Sequence, residues 1–218
     1  MSEHRNCPLC KHHGTVFFTD QKWDTPYYRC EQCDLIWMDP ESRVSSEEEL
    51  AHYNTHNNDP ADPRYRAFLS KLWDPLKERL PATAKGLDYG SGPGPTLHLM
   101  AEEDGFECAH YDPYFHRDDS ALQNQYDFIT CSETAEHFYD PDLEFNQLAD
   151  RLLPGGWLGV MTTRYDDEIN FKNWHYRHDP THVEFYTDKT FEAIAERFNF
   201  EQPVIVSKSV VLLRKPLD

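Results

Sequence analysis

At 218 residues the chain is long enough for one well-cored domain plus a small appendage. Thirty-nine acidic against 21 basic residues give a formal charge of −18, a surface that repels phosphate backbones and anionic lipid, so nucleic acid and membranes are disfavoured partners. The sequence holds no apolar run of about 20 residues, and Met1-Ser2-Glu3-His4-Arg5 lacks the basic-then-apolar order of a signal peptide. A cytoplasmic chain with reduced thiols is the expectation.

From the N-terminus, Cys7-x2-Cys10 and Cys30-x2-Cys33 stand 19 residues apart, the spacing of two knuckles meeting around a tetrahedral Zn²⁺. Four thiolates close the shell, so the ion is structural, and His12 and His13 are spare ligands only. Disulfides suit a secreted chain, and a redox pair needs a βαβ context that is missing here. Cys108 and Cys131 fall in apolar runs and read as buried thiols.

Residues 1–40 form this ribbon, with short strands at Tyr27-Tyr28-Arg29 and Asp34–Met38. Residues 41–62 are a linker with a short helix, for which Ser45-Ser46-Glu47-Glu48-Glu49 offers a capping box. The polar connector 54–60 follows. Apolar residues then recur at helical spacing from Pro63 to Leu80. Strand-like runs at Lys85–Tyr89, Phe106–Tyr111, Tyr126–Cys131 and Trp157–Thr162 alternate with helical stretches at Thr96–Glu103, Asp142–Leu153 and Asp188–Phe198. That alternation predicts an α/β fold over 63–218, with helices on both faces of a mostly parallel sheet. Val204–Ser207 and Val210–Arg214, parted by Lys208-Ser209, predict an antiparallel hairpin at the end.

The first strand runs into Leu87-Asp88-Tyr89-Gly90-Ser91-Gly92-Pro93-Gly94. Three glycines at alternate positions ahead of a helix let backbone turn sharply and approach a ligand, which then meets the helix's free N–H groups. A dinucleotide fingerprint would space its third glycine one residue further. The D-x-G-x-G-x-G run resembles motif I of the class I S-adenosylmethionine-dependent methyltransferases, Rossmann-like enzymes, and the resemblance covers about 60–218. It implies cofactor contacts from Asp88, Gly90, Ser91, Gly92 and Gly94, from Asp112 toward the ribose hydroxyls, and from Cys131, Ser132 and Glu133 beside the sulfonium. Leu152–Trp157 resembles the turn before the family's fifth strand. Only 14 residues separate Asp112 from Asp127, too few for a further helix and strand. Asp118, Asp119 and Gln123 are therefore only candidates for the adenine contact. The cysteine ribbon is similar to N-terminal zinc modules of some bacterial methyltransferases.

Glu133-x-x-Glu136-His137 resembles a pattern of ubiquinone-biosynthesis O-methyltransferases, and also of the small-RNA terminal 2′-O-methyltransferases, where a later histidine completes a metal site. Here His182 is the fourth candidate, with His175 and His178 as rivals, and the set Glu133, Glu136, His137 and His182 would suit Mg²⁺ or Mn²⁺. Without a metal, Glu133 holds the cofactor, Glu136 caps and His137 packs. Residues 164–186, rich in aromatics and histidine, read as a lid, some of them packing on the Pro63–Leu80 helix. Within the lid His182 is the preferred general base, with Glu133 and His137 as its catalytic neighbours. No Asn/Asp-Pro-Pro-Tyr follows the third of the strand-like runs, at Tyr126–Cys131, which disfavours methylation of planar nitrogen.

The leading expectation is methyl transfer to a small-molecule acceptor, at a hydroxyl oxygen. A protein or RNA substrate recruited by the ribbon is the alternative, and a non-catalytic interaction protein the second. A basic or apolar stripe across the ribbon's exposed face would favour recruitment of a macromolecule.

Overall fold

The computed structural model describes residues 4–55 and 58–217. His56 and Asn57 of the connector, and the first three residues of the N-terminal stretch read for a signal, lie outside that set.

Four short strands come first: β1 (His4–Asn6), β2 (His13–Asp20), β3 (Thr25–Cys30) and β4 (Ile36–Met38). α1 (Ser46–Tyr53) starts on a capping box, Ser45 with Glu48. α2 (Pro63–Lys77) is capped by Asp62 and buries Leu69, Leu72, Trp73 and Leu76 at helical spacing. It stops short of the predicted Leu80, two residues after Pro75, whose missing N–H weakens its last turn.

The alternating half follows: β5 (Lys85–Tyr89), α3 (Thr96–Glu103), β6 (Glu107–Tyr111), β7 (Tyr126–Ser132), α4 (Pro141–Asp150), β8 (Leu152–Met161), β9 (Glu184–Phe185), α5 (Asp188–Arg197), β10 (Val204–Ile205) and β11 (Val210–Arg214). Six strands form one sheet in the order β10-β11-β8-β7-β5-β6. The pairings β6·β5, β5·β7 and β7·β8 are parallel, while β11 runs antiparallel to both β8 and β10. The predicted parallel sheet with a closing hairpin is thus present. β6 is an edge strand, and the short run between Asp112 and Asp127 holds one 3₁₀ turn, Ala121–Gln123, in place of a further helix and strand. The turn expected at Leu152–Trp157 sits inside β8: Tyr126 and Phe128 face Leu152 and Trp157, so the intervening residues loop out, with Gly155 at φ +79°.

Helices α2 and α3 cover one face of the sheet over Phe128, Met161 and Leu212, and α4 and α5 cover the other over Ile129, Leu158 and Val160. The cysteine ribbon does not stand apart. Its antiparallel sheet runs β1-β2-β3-β4-β9, so the last strand comes from beyond the parallel sheet, with Ile36 facing Phe185. Cys7, Leu9, Tyr28 and Trp37 share one core with Phe145, Phe191 and Ile194 of α4 and α5. The lid aromatics Phe171, Trp174 and Phe185 pack on Tyr27, Ile36 and Met38 of the ribbon. That corrects the expected packing on the α2 helix, whose core partners include none of residues 164–186. Sequence distance hid the pairing, because it joins segments nearly 150 residues apart. No helix among the described residues is long and apolar enough to cross a membrane.

Candidate cofactor and acceptor site

Asp88, the last residue but one of β5, is buried at 3% exposure; one carboxylate oxygen accepts the Thr130 hydroxyl at 2.9 Å and the other the His98 N–H at 3.3 Å, in the first turn of α3. Asp88 thereby joins two strands and a helix start. Burial pushes its carboxyl up to about 6, against the pull of those two donors. Gly90 and Gly92 adopt φ +73° and +66°, and the N–H groups of Gly90 and Ser91 both donate to the Tyr111 carbonyl. A Cβ on Gly90 would overlap Thr134, whose hydroxyl donates to the Gly90 carbonyl. Gly94 plays a different part from the one expected: it does not line the cavity, and it makes room for the Asn58 carbonyl instead.

Asp112 closes β6 as predicted, but its carboxylate is already largely engaged. Oδ1 accepts N–H bonds from Tyr114 and Phe115 and Oδ2 one from Gly92, at 2.8 to 3.0 Å. Of roughly four acceptor positions one is left for a ligand hydroxyl. Pro113, Tyr114 and Phe115 line the cavity beside it, whereas Asp118, Asp119 and Gln123, the adenine candidates, do not.

The end of β7 divides the expected contacts. Ser132 and Glu133 line the cavity, but Cys131 is fully buried and points into the core of the sheet. Glu133 sits at φ +47°, and burial, then the charge of Glu136, push its carboxyl up to about 9, so it is protonated at neutral pH. Glu136 is wholly buried; Tyr176 donates a short hydrogen bond to its Oε1 while Oε2 has no partner. One ligand atom each from Glu136, His137 and His182 lies within 4.8 Å of the others, and Glu133 stands outside that group. His137 Nδ1 lies 2.9 Å from the Thr181 carbonyl and His182 Nδ1 2.7 Å from the Tyr176 carbonyl. A carbonyl only accepts, so both Nδ1 atoms carry a proton, and in the neutral form of each ring Nε2 is the atom with the lone pair. Burial lowers the His182 pKa, which keeps that ring neutral.

These groups open into a cavity of about 770 Å³. From the lid, His175, Tyr176, Asp179 and His182 line it, while His178 turns outward to the Lys172 carbonyl. Asp179 accepts from the Thr181 hydroxyl and from His52 Nε2, at 2.6 and 3.0 Å, tying the lid to α1. Burial alone would raise the Asp179 carboxyl, but Thr181, His182 and His52 together hold it well below the carboxylate range. Ser46, Glu49 and Tyr53 of α1 also face the cavity, a wall the sequence reading missed. The signal was there: Glu49 and Tyr53 lie on one face at i, i+4. Ser91 Oγ, buried and unpartnered on the same wall as the positive-φ glycines, fits a ligand cradle rather than a plain turn.

In the ribbon, the sulfur pairs Cys7–Cys33 and Cys10–Cys30 stand 3.6 and 3.4 Å apart, and all four lie within 4.8 Å. Tetrahedral Zn–S bonds of about 2.3 Å require S···S near 3.8 Å, so the set fits Zn²⁺ with little adjustment. The knuckles match: Lys11 and Asp34, each just after the second cysteine, adopt φ +64° and +66° and donate N–H to the Cys7 and Cys30 carbonyls. His12 and His13 are exposed and take no part in the cluster.

A family profile described as "Methyltransferase domain" matches residues 61–202. Ubiquinone biosynthesis O-methyltransferase of Shewanella pealeana is 35% identical over 86 residues, 38% of this chain and 36% of that protein. The Salmonella arizonae enzyme is 35% identical over 93 residues, 43% and 37% of the two chains. The chain thus spans little more than a third of the length of these relatives. An SAH-bound methyltransferase of calicheamicin biosynthesis superposes with a TM-score of 0.53 at 14% identity, over 82% of this chain and 65% of that one. An O-methyltransferase family protein from Burkholderia thailandensis gives 0.51 at 13%, over 77% and 62%. With its glycine loop, its sheet order and this match over most of its length, the chain belongs to the methyltransferase domain family, with the class I S-adenosylmethionine-dependent fold.

Proposed function

We propose that the chain transfers a methyl group from S-adenosylmethionine to a small-molecule acceptor, at a hydroxyl oxygen. The cofactor supplies an electrophilic methyl group; the chain's own task is to hold the acceptor in line and take its proton. The carrying observation is His182: neutral, with Nδ1–H fixed on the Tyr176 carbonyl, it presents an Nε2 lone pair beside Glu136 and His137. Protonated Glu133 adds a hydrogen-bond donor at the same wall. Asp88 organises the glycine loop, Gly90, Ser91 and Gly92 cradle the cofactor, and Asp112 offers its remaining lone pair to the ribose.

The same cluster supports a second arrangement. Two imidazoles with lone pairs and an unpartnered carboxylate oxygen form a donor set for a divalent ion, Mg²⁺ or Mn²⁺, and imidazole favours Mn²⁺. Titration with S-adenosylhomocysteine, with and without each metal, separates the two. Binding lost in Asp112→Asn supports the cofactor site, and metal-independent turnover that His182→Gln abolishes and Glu136→Gln spares supports His182 as the base. Metal-dependent turnover lost in both variants favours the ion.

A small acceptor also fits the ribbon's surface. Arg5 pairs with Asp39 and Glu41, Lys11 with Asp140 and Asp142, and Arg29 with Asp34 and Asp167. Among its described residues the large exposed apolar ones are Val16 and Trp23, which make no stripe. Macromolecular recruitment thus gains no support, though a protein partner on the ribbon stays compatible with that surface. Structural Zn²⁺ on Cys7, Cys10, Cys30 and Cys33 and a cytoplasmic setting complete the reading.

A further inference from the structure

The walls of the cavity are acidic without compensation. Glu49, Asp88, Asp112, Glu133, Glu144 and Asp179 line it, and among the described lining residues there is no lysine or arginine. The acids along the glycine loop answer to a cationic cofactor. Glu49 does not, because it stands on the α1 wall.

Glu49 is 5% exposed. Its two oxygens accept the hydroxyls of Tyr53 and Tyr114 at 2.7 and 2.5 Å. Those rings meet edge to face at 5.7 Å, and Tyr139, on the same cavity wall, adds a third ring. No lysine or arginine nitrogen among the described residues lies within ion-pair distance of Glu49. Arg43, stacked on Tyr139, is committed to Glu184 and to the Tyr139 carbonyl. A carboxylate buried among phenols with no counter-ion is costly in the free protein. An acid grouped with tyrosine rings offers a desolvated ammonium group both a counter-charge and aromatic surface. The cage also joins the reacting end: the Tyr53 ring is 5.3 Å from His137, which is 4.8 Å from His182.

We infer that the acceptor carries a cationic nitrogen, a protonated or quaternary amine, which Glu49 receives among Tyr53, Tyr114 and Tyr139 while the acceptor's hydroxyl lies at His182. This rests on the methyltransferase reading for the direction of the acceptor. An anionic acceptor would meet the acids of this lining other than the protonated Glu133 and is rejected by their charge.

The test titrates the zinc-loaded full chain, saturated with S-adenosylhomocysteine, with tyramine, 4-methylphenol and 4-hydroxyphenylacetate, which share a phenol and differ in charge. Tyramine should bind at least tenfold more tightly than 4-methylphenol, and the anion more weakly than either. Glu49→Gln should erase the tyramine advantage at unchanged S-adenosylhomocysteine affinity. Tyr139→Leu, at a 40% exposed ring, should cut the advantage several-fold with no loss of folding. Equal affinities, no tyramine binding, or an advantage that survives Glu49→Gln overturns the inference alone. Failure of the wild-type chain to bind S-adenosylhomocysteine overturns the parent reading and this one together.

Discussion

Gly90 and Gly105 both hold positive φ, +73° and +92°, yet only Gly90 has a neighbour where a Cβ would go. Gly105→Ala should therefore cost only backbone strain, about 1 kcal/mol. Gly90→Ala adds the clash with Thr134 and moves the loop, so it should cost at least twice that and weaken S-adenosylhomocysteine binding more than tenfold. Denaturant melts and titrations on both variants check this; equal losses would mean that the loop tolerates a side chain. Asp88 makes a pH prediction at the same scale. Its folded carboxyl titrates at about 6 against an ordinary 3.8, so the folded chain holds this proton to higher pH than the unfolded one. The stabilisation tied to that proton is complete below about 4 and is lost as pH rises through 6. Relative to Asp88→Asn, the wild-type chain should lose up to about 3 kcal/mol between pH 4 and 7. A stability difference that stays flat with pH would contradict the assignment.

At the scale of elements, the parts legible in the sequence are those set by neighbours in the chain. β5, α3 and β11 begin and end where their own residues say, and the capping box offered by 45–49 forms, between Ser45 and Glu48. The glycine loop and Asp112 lie where a strand end must put them. What stayed hidden depends on contacts across the chain: β9 completing the ribbon sheet, α1 walling the cavity, and Cys131 pointing inward rather than at a ligand. Period-two alternation does not say which face of a strand end meets the ligand when both faces are covered. The β4·β9 pairing has a mechanical consequence. Removing Zn²⁺ with a chelator, or replacing Cys30 by Ser, should raise amide exchange not only in 4–38 but also at 171–185, while β5 and β7 stay protected. Protection at 171–185 that survives zinc loss would show that the lid does not depend on the ribbon.

For the whole molecule, the question is whether ribbon and methyltransferase domain unfold together. Arg177 joins them from the lid side. Its guanidinium is buried, with Nη1 2.8 Å from Asp20 on β2 and its other nitrogens donating to the Phe171 and Lys172 carbonyls. It also lies over the rings of Phe18, Tyr27 and Phe171, so one side chain ties hairpin, lid and aromatic cluster. Lysine keeps the charge but offers neither the planar stacking surface nor donors in three fixed directions. Arg177→Lys should therefore destabilise the chain by roughly 2–3 kcal/mol, the scale of unmade buried hydrogen bonds. Because the ribbon shares a core with α4 and α5, the loss should shift one cooperative transition without splitting it. Thermal scans followed both by cysteine-bound zinc release and by far-ultraviolet dichroism decide the matter. Coincident midpoints in wild type and variant mean that the metal site and the catalytic sheet form a single folding unit, and separate midpoints mean that the ribbon melts on its own.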